Sequence, residues 1–441
     1  MSLSSESIRT LEEEGLRFVR DLIRIDSVNT GDPETVGDGE ARAARYIQDR
    51  LEEVGYDVTY VESRPGRGSV IARLQGSDPG RGALVAHAHV DVVPVDGQEW
   101  THPPFGAEIH DGLLYGRGAV DMKDFAGTLV AVARAFKREG IVPQRDVIFA
   151  FFADEESGGT WGARWLVEHR PELFAGATEA ISEVGGFSVP LGGRRAYLVA
   201  TAEKGIVWAR VRARGRAGHG SRPTADNAVV RVAQAVVALA AHRFPVERTS
   251  ALDAVLRAAD VADVHEITDE TIDEIVAGLG LVAPLISATL RETVSPTVLA
   301  AGSKTNIIPA LAEATLDVRV LPGHEDTYRS EVEAIVGEGV EFEWGDLIAP
   351  ISSPDDAALV ETIGEAIRAE DPEGIVVPYL LPASTDNKHL ARLGIRGYGF
   401  VPLRVPDDFD VFGEFHAADE RVPVDALAFC ARVTWSILAT A

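Results

Sequence analysis

The sequence predicts an α/β fold: a mixed, mostly parallel sheet flanked by helices, with a smaller α+β domain inserted into it. Three observations predict it. Over residues 1–202, short apolar runs alternate with stretches of helical periodicity, as expected of helices layered on a sheet. From about residue 203 the texture becomes strand, helix, strand, helix, strand, which describes a small α+β unit. After Pro350 the first texture returns. The larger domain is therefore read as discontinuous, 1–202 plus 347–441, and the inserted one as 203–346.

Each element has its own signal. Ala44, Ile47, Leu51 and Val54 recur at helical spacing, and Gly55 is placed to end that helix. Extended runs follow at 57–62, 69–74 and 83–93. The last is nearly all apolar before Asp91, as a strand buried on both faces should be. Residues 128–136 read as a helix, 146–153 (DVIFAFFA) as a second buried strand and 162–168 as the next helix. In the inserted unit, 206–213 is a strand and 224–242 a long Ala/Val-rich helix. The acidic, Ala-rich stretch 245–295 reads as helical. A strand at 312–320, a helix at 325–336 and a strand at 340–344 complete the unit. Beyond it come a helix at 355–369 and a strand at 396–400.

The composition excludes several function classes. At 441 residues, and roughly 150 residues per domain, two or three domains with ordinary cores are expected. The formal net charge of −27 argues against nucleic acid and against anionic membrane surfaces. Only 5 of the 42 basic residues are Lys, which fits either salt adaptation or a coding bias toward Arg. The lone Cys430 rules out a disulfide framework and any metal site built from several Cys, and its apolar surroundings predict a buried small hydrophobe. The polar, acidic first residues lack the basic start and apolar core of a signal peptide, and no run of 18 apolar residues occurs. A soluble, cytoplasmic protein is expected.

Five stretches carry residues with chemistry. In ALVAHAHVDVVP (83–94), His89 and Asp91 lie two apart at the end of an apolar strand, so they point to the same side. Sites in open α/β sheets form beyond the carboxyl ends of strands. Imidazole is a common metal ligand, and a nearby carboxylate can fix its tautomer. His87 points the same way and is an alternative ligand; the plainer alternative is a hydrogen-bonded polar strand end. In LLYGRGAVDMKD (113–124), a glycine turn precedes Asp121, which could be aimed into a site or could cap the following helix. Neither glycine-rich nucleotide fingerprint is present. FAFFADEESGG (149–159) sets three acids after an apolar strand. Adjacent carboxylates repel unless a cation balances them, so one could bind metal while another moves a proton. Glu183 in AISEVGGF and His416 in GEFHAADERV are weak alone. Together, two His and several carboxylates at strand ends and loops of one domain suit two divalent metals with N and O ligands, one carboxylate bridging.

These segments also occur in a family order. HVDVVP (89–94), WTHPPF (100–105), YGRGAVDMK (115–123), ADEESGG (153–159), GHGSRP (218–223), NIIP (306–309), LDVRVLPG (316–323) and FHAADERV (415–422) resemble the M20 family of co-catalytic zinc metallopeptidases and amidohydrolases. The resemblance implies that His89 and Glu183 bind one metal, that Glu156 and His416 bind the other, and that Asp121 bridges them, often before a cis peptide. It implies that Asp91 orients His89 and that Glu155 is the general base and acid. In the inserted lid/dimerisation domain it implies that His219 stabilises the oxyanion, often across a dimer interface. Asn306 would hydrogen-bond near the substrate carbonyl, and Arg319 would grip the substrate's free carboxylate. The plainer readings are a turn histidine for His219 and an Asp317–Arg319 surface pair. The implied cofactors are two divalent ions per chain, zinc, with cobalt or manganese as alternatives. The implied reaction is hydrolysis of an amide next to a free carboxylate, in dipeptides or N-acyl amino acids, by a homodimer. Deacetylase, desuccinylase or carbamoyl-amide activity, or a catalytically inactive binding role, are the alternatives. The 245–300 stretch is longer than in the short desuccinylase-like members.

Overall fold

The computed structural model describes residues 3–32, 35–261 and 267–441. Its main body is built on a 10-stranded sheet. Along the sheet the strands run Val58–Arg64, Arg67–Leu74, Val147–Phe152, Ala83–His89, Ala177–Ser182, Arg396–Gly399, Arg194–Glu203 and Ile351–Ser352. Ile375–Leu381 and Ser188–Leu191 also pair with Arg194–Glu203. The neighbours Val147–Phe152, Ala83–His89, Ala177–Ser182 and Arg396–Gly399 are mutually parallel. Strands at the flanks join antiparallel. This is the mixed, mostly parallel sheet the sequence predicts.

The central strands are apolar throughout because both of their faces are covered. Every residue of Ala83–His89 and of Val147–Phe152 is buried. Helices Ser5–Ile23, Lys123–Glu139 and Val424–Thr440 pack together on one face. Gly127 permits that packing, since a Cβ there would lie 2.4 Å from the Val19 amide nitrogen. On the other face, Leu166, Phe174, Leu390 and Ile395 form a second core. Helix Lys123–Glu139 is longer than the predicted 128–136. Its first turn buries Lys123 and Asp124, two polar residues that hide the start of the apolar pattern.

The chain leaves the main sheet at Glu203 and enters a separate four-stranded antiparallel sheet at Gly205. That sheet runs Thr293–Ala301, Leu311–Val320, Gly205–Arg214, Glu341–Trp344. Burial alternates along Gly205–Arg214 and Leu311–Val320, so one face is covered, by helices Ala228–Ala241 and Tyr328–Val336. Asn227 caps the first of these, its Oδ1 accepting from the Val229 amide at 3.0 Å.

The 245–295 stretch, read as helical, is helical in short pieces and not throughout. It forms short helices at Ser250–Ala258, Ile272–Ala277 and Ala283–Ser287, and by Thr293 the chain is a strand. Residues 262–266 of that reading lie outside the described residues. These helices do not rest on the inserted sheet. Ser250–Ala258 packs on strand Ile375–Leu381, and Leu252, Val255, Leu256, Ile272, Val276 and Ile286 join the main core. Among the described residues no helix is long and apolar enough to cross a membrane.

Candidate active site

The site lies where the parallel strands end. His89 is the last residue of its strand, and Asp91 follows after one residue. The His89 Nδ1 contacts the Asp91 carbonyl oxygen at 3.0 Å and its carboxylate at 3.5 Å. The Asp91 carboxylate also accepts the amides of Glu155 and Glu156, each at 3.1 Å, and the Asn29 Nδ2 at 2.8 Å. One carboxylate thus fixes both the imidazole and the turn that carries the paired glutamates.

Asp121 is not a helix cap. The helix begins at Lys123, its cap position is Met122, and no side chain caps it. The Asp121–Met122 peptide is cis. One Asp121 oxygen, Oδ1, lies 3.0 Å from the His89 Nε2, and the other, Oδ2, lies 3.1 Å from the His416 Nε2. Glu183 Oε2 approaches the His89 Nε2 at 3.4 Å, and Glu156 Oε2 approaches the His416 Nε2 at 3.3 Å. Two clusters result, His89–Asp121–Glu183 and Asp121–Glu156–His416, each with one donor atom per residue inside a 4.8 Å radius of the others. They share Asp121. After Glu183 the chain needs two glycines. A Cβ on Gly185 would meet the Gly399 carbonyl at 2.4 Å, and one on Gly186 would meet Val401 backbone at 2.5 Å. Asp154, Val184 and His416 also adopt left-handed backbone, which non-glycine residues rarely do.

The electrostatics suit cations. Burial, then the Asp121 charge, pushes Glu156 up to about 8. Burial likewise pushes Glu183 up to about 8 and raises Glu155. Hydrogen bonds to Asp121 and Glu156 push His416 up to about 10. Burial opposes ionisation of Asp121, but His416 and His89 together hold its carboxyl well below the usual range. The negative charge converging here is thus balanced by protons, and a cation would replace them. Glu156 Oε1 is buried without a hydrogen-bond partner, an atom that a metal ion would satisfy. A set of imidazole nitrogens and carboxylate oxygens fits divalent zinc, cobalt or manganese. His87 does not belong to either cluster. It bonds Asn387 Oδ1 at 2.9 Å, and burial lowers its pKa to about 4.

Three supporting residues carried no role in the sequence. Glu420 accepts the amides of Gly118, Val120 and Asp121 and pairs with Arg117 at 2.8 Å. It therefore ties the His416 loop to the Asp121 turn. Asn29 links Asp91 to Asp154 and Arg67. Lys388 Nζ lies 3.5 Å from the Glu155 carboxylate. Burial alone would depress the Lys388 ammonium, but Glu155, Asp386 and Glu203 outweigh it and raise its pKa. Lys123, Lys204 and Lys388 are buried, three of only five lysines in the chain, a distinction the structure reveals and the sequence does not.

A pocket of about 540 Å³ opens on these residues, and Asp121, Glu155, Glu156, Glu183 and His416 are among those lining it. His219, Asn306 and Arg319 do not line it. His219 is exposed on a two-residue strand paired with Ile307–Ile308, and its Nδ1 bonds Ser221 Oγ at 2.8 Å. The Asn306 carbonyl accepts the Gly220 amide at 2.8 Å, so these two predicted residues are neighbours. Arg319 pairs with Asp317 at 2.6 Å on the inserted sheet.

Comparison with known proteins shows the family. The model of peptidase family M20/M25/M40 matches residues 85–440. Aminoacylase-1 from Pongo abelii is 28% identical over 369 residues, covering 82% of this chain and 81% of the relative. The N-fatty-acyl-amino acid synthase/hydrolase PM20D1 from Homo sapiens is 28% identical over 380 residues, covering 80% and 73%. The solved structure of an M20 family metallo-carboxypeptidase, Sso-CP2 from Sulfolobus solfataricus, superposes with a TM-score of 0.71 at 18% identity, over 97% of this chain and 98% of that one.

Proposed function

The chain belongs to peptidase family M20/M25/M40, and on that premise we propose that it hydrolyses an amide bond next to a free carboxylate, in dipeptides or N-acyl amino acids. The observation that carries this reading is the pair of ligand clusters sharing Asp121, with Glu155 beside them. His89 and Glu183 would hold one divalent ion, Glu156 and His416 the other, and Asp121 both. Zinc fits this donor set, and cobalt or manganese could serve. When bound, such ions acidify a water and polarise the scissile carbonyl.

The chain's own residues do the rest. Glu155 takes the proton of the attacking water and passes it to the leaving amine. Lys388 holds the Glu155 carboxylate from the side at 3.5 Å. Asp91 keeps His89 and the Glu155–Glu156 turn in register through the bonds described above. From the inserted domain, His219 donates to the oxyanion, Asn306 bonds near the carbonyl, and Arg319 binds the substrate carboxylate with its planar guanidinium. These three reach the cleft when the inserted domain closes or when a second copy presents them.

The domain division 1–202 plus 347–441 around 203–346 is part of the same proposal, with helices 250–287 docked on the main body. So is a homodimer through the inserted domain. Strand Thr293–Ala301 is an open sheet edge with Leu299 60% exposed, and the neighbouring helix leaves Val237 66% exposed. A cytoplasmic location accords with the single, buried Cys430.

The test is amine release from dipeptides and from N-acetyl, N-succinyl, N-carbamoyl and long-chain N-acyl amino acids, with added Zn²⁺ or Co²⁺ and a chelator control. Chelator-sensitive release from dipeptides or N-acyl amino acids is expected. No release from a protein carrying two ions per chain would contradict the reading.

A further inference from the structure

Beyond the carboxylates, the pocket that opens on Glu155 has a second wall of different chemistry. Leu281, Pro284, Leu285 and Ala288 contribute to it, and Phe412 and Phe415 line the same pocket. The first four lie in the 245–290 stretch: Leu281 in the turn Gly280–Val282, Pro284 and Leu285 in helix Ala283–Ser287, and Ala288 just after it. That stretch is anchored in the main core by Val282, Ile286 and Leu290. The Lys204 ammonium also ties it down, donating to the carbonyls of Ala288 and Arg291. The wall is therefore packed into the main core rather than onto the inserted four-stranded sheet.

The lining holds no Lys or Arg, and its ionisable side chains are the acids of the site, Asp410 and His416. A carboxylate-bearing substituent placed against Leu281 and Leu285 would lose water and find no Lys or Arg in the lining to pair with. An apolar one would gain from burial. A pocket of about 540 Å³ is the size that takes a whole drug-sized group, far larger than an acetyl or carbamoyl needs. The free carboxylate of the substrate, which requires a cation, belongs to the leaving half and must lie elsewhere. That assigns the pocket to the acyl half.

We infer that Leu281, Pro284, Leu285 and Ala288 form an acyl-binding wall that selects N-acyl amino acids with a long, uncharged apolar acyl chain. The inference rests on the amide-hydrolase reading and adds the substrate class.

The experiment is kcat/KM for N-acetyl-, N-hexanoyl-, N-dodecanoyl- and N-succinyl-glycine with the metal-loaded enzyme. It is paired with calorimetric titration of butyrate, hexanoate and dodecanoate. Each buried methylene contributes roughly fourfold, so hexanoyl should exceed acetyl on the order of a hundredfold. Succinyl should fall below hexanoyl by at least as much. Leu281→Asp, at a position already 36% exposed, should lower the hexanoyl-to-acetyl ratio at least tenfold, and Leu285→Ala should lower it less. The control Val142→Asp, remote from the cleft and 50% exposed, should leave the ratio unchanged. A flat acyl profile, or a ratio untouched by both Leu variants, overturns the acyl wall while leaving amide hydrolysis standing. If no substrate releases amine, the reaction reading falls and the titration decides the pocket alone. Dodecanoate binding tighter than butyrate, and weakened by Leu281→Asp, supports the wall; equal affinities overturn it.

Discussion

The carboxyl end of the main sheet and the outer face of the inserted domain differ in how finished they are. At the sheet, His89, Asp91, Asp121, Glu183, Glu156 and His416 meet within about hydrogen-bonding range. On the inserted domain, His219 sits on an exposed two-stranded ladder with Asn306 in the turn beside it, and Arg319 is occupied by Asp317. Side chains at the ends of buried parallel strands are fixed by the sheet itself. Those on an exposed surface acquire a role only when another surface closes on them. Damage to the first region should therefore abolish metal binding or chemistry, whereas damage to the second should weaken substrate binding or assembly or, at His219, slow turnover with both metals retained.

The largest effect should come from Glu155→Ala. General acid–base catalysis contributes about 10²–10⁴-fold, so kcat should fall by that much while both metals are retained. Turnover near the wild-type value, measured alongside metal content, would move the base elsewhere. Next is Glu420→Ala, which leaves Arg117 buried and unpaired beside the Asp121 turn. Breaking such a pair costs about 3–5 kcal/mol, visible in urea unfolding at neutral pH. A loss under 1 kcal/mol would show that the two loops hold each other without it.

Histidine 87 sharpens the comparison through pH. It is neutral in the fold, its pKa lowered to about 4 by burial, against an ordinary value of 6.5. Above pH 6.5 both folded and unfolded states leave it neutral, and its contribution is fully present. As pH falls from 6.5 toward 4, the unfolded state binds a proton that the folded state refuses, and stability drops by roughly 3 kcal/mol. The stability gap between wild type and His87→Gln should shrink over that window. A gap that does not change with pH would refute the buried neutral imidazole.

Effects on the inserted domain should be smaller and different in kind. Arg319→Ala should raise KM for free-acid substrates by roughly tenfold to a hundredfold and should spare the corresponding amides, as loss of a charge-assisted bidentate contact would. Equal losses on acids and amides would remove Arg319 from carboxylate recognition. Leu299→Asp should shift the protein toward monomer in light scattering, with its fold intact. An unchanged mass would send the search for an interface to another face.

The same contrast explains what could be read from the sequence. Ala83–His89 and Val147–Phe152 were legible because unbroken apolar runs end abruptly in His and acids, and burial on both faces demands that pattern. Glu420, Asn29 and Lys388 were not. Each is a polar residue in a loop or a short helix whose partners lie far away in the chain, such as Lys388 and Glu155. Only burial reveals them. The 250–287 helices were read as part of the inserted unit because connectivity suggested it. Their apolar faces carry no mark of which domain they will cover, and packing gives them to the main sheet.

The most direct test of the account is the metal content of purified Asp121→Ala beside His416→Ala and wild type, by mass spectrometry after dialysis against Zn²⁺. Asp121 is the one carboxylate shared by both clusters. The account predicts two ions per wild-type chain, one in His416→Ala and close to none in Asp121→Ala. Two ions retained in Asp121→Ala would contradict it.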